Sequence, residues 1–118
     1  MTQGGRVQED LTTRLERVTG RVQFDQADLA RVLDTNPRTV SRWLRRETAP
    51  RPDARERLLE VLAVLERLSS VLRADAAHDW LFSPNPLLDY HKPVELLRKG
   101  EYRQVLGAID VLAEGVFV

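Results

Sequence analysis

Within residues 53–72 the chain places Leu58, Val61, Leu65, Leu68 and Leu72 at successive gaps of three, four, three and four residues. That spacing predicts a long helix with one apolar stripe. Leu59, Leu62, Ala63 and Val64 widen the stripe. A face this broad needs cover from more than one side. The helix is therefore either the central element of one helical body or the seam between two copies of the chain. No segment alternates with the period of a strand, so the fold class expected is all-α. At 118 residues the chain has room for one domain, or two small ones sharing a core.

Local signals divide the rest into six further helices. Leu11, Leu15 and Val18 share one face of a helix expected over 9–18, ended by Gly20. Asp25 is a suitable N-cap for a second helix carrying Ala27, Leu29, Ala30, Val32 and Leu33, with Phe24 ahead of it as a staple. Asn36-Pro37 is an N-cap followed by proline at the first helical position, opening a third helix to about residue 46. Thr48-Ala49-Pro50-Arg51-Pro52 breaks the chain before the long helix. Beyond it, helices are expected over 75–82, 93–99 and 101–114. Ser83-Pro84-Asn85-Pro86 forms a turn between the first two, in which Asn85 bonds local backbone. The last helix buries Val105, Leu106, Ile109, Leu112 and Ala113. Residues 1–8 are expected to be disordered.

The second and third helices, joined by Asp34-Thr35-Asn36, read as a helix-turn-helix. Asp34 stands where such a turn often carries glycine, and Asp tolerates the left-handed conformation better than most residues. On a helical wheel Val40, Trp43 and Leu44 share one arc, while Arg38, Arg42, Arg45 and Arg46 occupy the opposite one, flanked by Thr39 and Ser41. An apolar back with an arginine front suits a major groove, where arginine bridges guanine edges or pairs with phosphates. Arg38, Thr39 and Arg42 are the expected base readers. Arg45, Arg46 and Arg51 are the expected phosphate contacts. A single unit of this size binds weakly, and two half-sites call for a dimer, with the long helix as its natural seam.

Zero net charge conceals an asymmetry. Residues 36–57 hold seven arginines against three acids, a net of +4. Residues 75–118 hold seven acids against four bases, a net of −3. Two surfaces for two kinds of partner follow from that division. The chain has no cysteine, so neither disulfides nor thiolate metal sites are open to it. His78 and His91 stand far apart, with no spacing that makes a metal site. No nucleophile–base constellation and no glycine-rich phosphate loop occurs, so neither an enzyme nor a cofactor is expected. No apolar run spans a bilayer, and Met1-Thr2-Gln3-Gly4-Gly5-Arg6 has no signal-peptide core. The expected location is the cytoplasm. The chain ends on Gly115-Val116-Phe117-Val118, where a polar, frayed end is usual. This apolar tail either folds back on the core or is presented to another molecule.

One string sharpens these readings. It comprises His78-Asp79-Trp80-Leu81-Phe82-Ser83-Pro84-Asn85-Pro86-Leu87-Leu88, then Lys92-Pro93-Val94-Glu95-Leu96-Leu97, Gly100-Glu101-Tyr102, Ile109-Asp110 and Ala113-Glu114-Gly115-Val116-Phe117-Val118. It resembles the toxin-binding domain of the Xre/MbcA/ParS antitoxins, most of all the mycobacterial MbcA type. With the helix-turn-helix ahead of it, the resemblance covers residues 8–118. It implies a DNA-binding unit over 9–52 and a helical toxin-binding unit over 53–118. It also implies a RES-domain, NAD-consuming toxin as partner, whose active-site entrance the C-terminal segment covers, and repression of a shared operon through operator DNA.

Carried over residue by residue, the toxin-facing set is Glu114, Gly115, Val116, Phe117 and Val118, with Arg98, Lys99, Glu101 and Tyr102 beside it. An NAD pocket is an apolar cleft with anion-binding groups, which an apolar chain end with a carboxylate can fill. Relatives often carry glycine between Leu88 and Pro93, where this chain has Asp89-Tyr90-His91-Lys92. The competing reading is a plain helix-turn-helix transcriptional regulator whose C-terminal third dimerises or senses a ligand.

Overall fold

The structure, a computed structural model, describes residues 9–116. Its α-helices are α1 (Leu11–Arg21), α2 (Gln26–Val32), α3 (Pro37–Leu44), α4 (Pro52–Ser69), α5 (Ala74–Leu81), α6 (Pro93–Arg98) and α7 (Tyr102–Val116), with one 3₁₀ turn at Pro86–Leu88. No strand occurs among the described residues. The all-α expectation holds, and every expected helix is present. The expected disorder of residues 1–8 concerns residues outside the described ones.

Short polar side chains start the first three helices. Asp10 accepts from the Thr13 amide at 2.8 Å and so caps α1. Asp25 and Asp28 form a reciprocal capping box on α2. Asn36 accepts from the Thr39 amide at 2.9 Å, and Pro37 opens α3. Two helices end earlier than their apolar pattern suggests. The Ser69 and Ser70 hydroxyls donate to the carbonyls of Glu66 at 2.8 Å and Arg67 at 2.6 Å, competing with the helical ladder and closing α4 before Leu72. Arg46 turns left-handed, with φ of 60°, and stops α3 at Leu44.

The stripe of α4 is covered within the chain. Leu58, Val61, Leu62, Val64, Leu65 and Leu68 are all at most 1% exposed. Helix α1 packs on α4, as do α7 and α5. This apolar face is therefore not available as a seam between copies, because its own helices already exclude water from it. Ala63 falls on the exposed side, and Leu59 and Leu72 are only half-buried. One apolar cluster runs from Leu15 in α1 through α4 to Ile109 in α7.

The helix-turn-helix is fastened to the C-terminal part at two places. Helix α2 packs on α6, with Arg31 paired to Glu95. Phe24 lies 5.9 Å from Phe82, whose ring lies 4.6 Å from that of His78. Within the C-terminal part, Arg57, near the start of α4, donates to the carbonyls of Leu97 and Arg98, both at 2.9 Å, at the end of α6. Half-buried charges add to the first half. Arg14 meets Glu66 at 2.5 Å, and Arg17 joins Glu9 at 2.7 Å and Glu66 at 3.3 Å.

Asp10 gives an acid-sensitive contact. The Thr13 amide and then the Arg46 guanidinium, at 3.0 Å, hold its carboxyl well below the ordinary 3.8, at about 2. A carboxyl depressed on folding stabilises the fold above its unfolded pKa, and that contribution is lost as pH falls through the folded one. Asp10→Asn keeps a capping oxygen but removes the charge. Its melting temperature is expected to lie below that of the parent at neutral pH. The gap should close between about pH 4 and about pH 2. Thermal melts of both proteins across this range check it, and a gap that persists unchanged at pH 2 would count against the charge as its origin.

Candidate functional site

The turn between α2 and α3 places the arginine face. Asp34 takes the left-handed conformation, φ 55°, as its position in the turn demands. The Thr35 amide returns to the Ala30 carbonyl at 2.9 Å. Val40 and Trp43 are buried behind α3, and Trp43 is only 7% exposed, so it serves the core. Arg38 and Arg42 are exposed on the front, with Thr39 and Ser41 half-buried beside them. The Thr39 hydroxyl stays local, bonded to Asn36 at 3.2 Å.

The seven residues nominated for DNA separate into two groups. Arg38, Arg42 and Arg51 form no ion pair among the described residues. Arg45 pairs with Glu47 at 3.1 Å, and Arg46 reaches back to Asp10 and to the Thr13 hydroxyl at 3.2 Å. Both sit past the end of α3, so the wheel that grouped them with Arg38 and Arg42 does not extend to them. To meet a phosphate, each must first leave its partner.

The C-terminal set separates as well. Arg98, Lys99 and Glu101 are exposed at the corner between α6 and α7, and Gly100 makes that corner with φ of 83°. The Glu101 amide donates to the Leu96 carbonyl at 2.9 Å. Tyr102 is half-buried, with the Arg103 guanidinium 5.5 Å from its ring centre. Arg98 leans on Glu95 at 3.4 Å. Burial works to raise the Glu95 carboxyl, but Arg31 and then Arg98 outweigh it and hold it below its ordinary value.

Glu114 and Gly115 stand exposed at the other end of α7. The twelve residues from Tyr102 to Glu114 correspond to about 18 Å of helix, so these two groups do not form one patch. Helix α7 runs to Val116, two residues beyond the expected end, which makes the start of the tail helical. Phe117 and Val118 lie outside the described residues, and so does the side chain of Val116.

Sequence reasoning passed over three exposed apolar side chains: Leu87 at 58%, Tyr90 at 71% and Val111 at 51%. Val111 lies four residues before Gly115 and four after Gly107, a spacing that puts the three on one face. That relation was available in the sequence. Tyr90 follows from the missing glycine. Asp89 and Tyr90 both take positive φ, 53° and 64°, so the backbone keeps a conformation that suits glycine. Bonds from the Tyr90 amide to the Asn85 carbonyl at 2.8 Å and from the His91 amide to Leu88 at 2.9 Å hold it there. As expected, Asn85 bonds local backbone, accepting from the Leu87 amide at 2.8 Å.

No group of three or more histidine or acidic side chains able to hold a metal occurs among the described residues. No helix there is long and apolar enough to cross a membrane.

No protein-family model matches the chain. The mycobacterial cidal antitoxin MbcA of Mycobacterium tuberculosis (strain ATCC 25618 / H37Rv) is 42% identical over 98 residues, which are 83% of this chain and 87% of that protein. A second protein of that organism, named a probable mycobacterial cidal antitoxin, Rv3188, is 33% identical over 93 residues, 79% of each. A chain of the crystal structure of the M. tuberculosis MbcT–MbcA toxin–antitoxin complex superposes with a TM-score of 0.82 at 38% identity, covering 94% of this chain and 100% of that one. The class these relatives define is a small all-α antitoxin, and none of the relatives is named an enzyme. The chain belongs to the MbcA family of mycobacterial cidal antitoxins.

Proposed function

We propose that the chain neutralises a RES-domain, NAD-consuming toxin by placing its C-terminal segment at the toxin's active-site entrance, and represses its own operon through the α2–α3 unit. Residues 9–52 serve the operator and residues 53–118 serve the toxin. One observation carries the reading: the chain superposes over nearly its whole length on a chain of a solved toxin–antitoxin complex. The exposed end of α7 adds to it, since Val111 and Gly115 continue the apolar tail inward along the helix. Co-expression with the RES-type gene tests the proposal. Growth and NAD level should both be restored. Growth arrest with falling NAD in the presence of the folded chain would refute it.

For the operator, Arg38, Arg42 and Arg51 rank ahead of Arg45 and Arg46, because they have no acidic partner to give up. Arg42→Ala should weaken operator binding by about 1–3 kcal/mol and relax specificity at one base. Arg51→Ala should weaken it more evenly across sequences and lower the salt dependence by about one charge. Fluorescence anisotropy over a salt series separates the two. Unchanged affinity in both variants would remove α3 from the DNA interface. Two half-sites would require a second copy, joined through a surface other than the covered stripe of α4.

A further inference from the structure

A cleft lies beside the arginine face, between α3 and the start of α4, with a volume of about 860 Å³. Small-molecule sites typically enclose about 300–1,000 Å³. Arg42 and Thr39 line its α3 side, Arg51 and Ala54 its α4 side, and Trp43 and Pro50 lie between them. Arg57 also lines it, fixed in place by the Leu97 and Arg98 carbonyls. Asp53 is the only acid in this lining, against three arginines. Arg42 and Arg51 have no acidic partner among the described residues. No side chain caps the N-terminus of α4, the longest helix, whose first turn borders the cleft.

We infer that this cleft binds a phosphate-bearing ligand of nucleotide size. Arg42 and Arg51 supply the anion side. The indole edge, the proline and Ala54 supply an apolar side that a phosphodiester alone has no use for, and a purine ring fills it. Phosphate reaches such a cleft from two sources, the backbone of a DNA duplex and a free nucleotide. Volume and apolar lining favour the free nucleotide. This inference does not rest on the operator reading, although nucleotide and operator would compete for Arg42 and Arg51.

Calorimetric titration of the full-length chain with ADP, adenosine, pyrophosphate and a short DNA duplex tests it. ADP should bind with submillimolar affinity and quench Trp43 fluorescence in a Trp80→Phe background. Adenosine and pyrophosphate should each bind at least about tenfold more weakly than ADP. Arg51→Gln, an exposed change that leaves the fold intact, should weaken ADP by about tenfold or more. Duplex binding without ADP binding would overturn the inference and leave the operator reading standing. ADP binding without duplex binding would support the inference alone. ADP binding indifferent to Arg51→Gln, or pyrophosphate binding as tight as ADP, would overturn it.

Discussion

Replacing Leu65 with alanine is expected to lower the unfolding free energy by about 3–4 kcal/mol, the usual cost of opening a leucine-sized cavity in a packed core. Leu65 is fully buried in the middle of α4, between segments that pack from several sides. Domains of this size have about 5–15 kcal/mol in total, so the variant keeps little margin. Its melting temperature should drop by roughly 10–20 °C. Because one apolar cluster joins α1 to α7, the helix-turn-helix and the C-terminal part should melt in one transition. Trp43 on α3 and Trp80 on α5 report the two parts separately. In each of the Trp43→Phe and Trp80→Phe chains, the denaturant midpoint read by the remaining tryptophan should coincide with the one read by far-UV circular dichroism. Two resolved transitions, or a Leu65→Ala cost under about 1 kcal/mol, would contradict the single core.

Deleting residues 116–118 is expected to abolish toxin neutralisation while leaving the fold unchanged. Among the described residues the last buried side chain is Ala113, so the truncated chain loses no part of the described core. Two valines and a phenylalanine moved from water into an apolar cleft contribute about 1.5–3 kcal/mol each, before the cost of ordering the segment. A net of about 3–4 kcal/mol corresponds to a loss of 10²-fold or more in affinity for the toxin. Titration calorimetry with the toxin, and growth and NAD in co-expression, would read the loss. Melting temperature and operator affinity should stay within error of the full chain. Undiminished inhibition would move the contacts to the Arg98–Tyr102 corner. A changed operator affinity would instead favour the plain regulator with a dimerising C-terminal third.

Helix identity was legible because each helix carries its own start and its own periodicity. Asp25, Asn36-Pro37 and Pro93 announced three N-termini, and the leucine rhythm announced α4. Ends were less legible where short-range polar bonds intervened. Ser69 and Ser70 closed α4 early, and the left-handed turn at Arg46 closed α3. The arginine front of α3 was readable as a pattern, but which arginines are unpaired was not. Asp10, 36 residues before Arg46 in the chain, claims one of them, and no local rule links positions so far apart. The C-terminal set was readable as a motif, yet its division between two ends of α7 follows from helix length.

By itself the sequence determined the all-α class, the helix order, the capping of the second and third helices and the basic and acidic division of the chain. These follow from interactions between residues a few positions apart, and such interactions are written in local order. Only the tertiary structure decided that α4 is covered by its own chain, that Arg57 bridges to the end of α6, and that Arg42 and Arg51 face a shared cleft. Those outcomes depend on which helices meet across tens of residues. Burial of apolar area drives that meeting without specifying partners one by one.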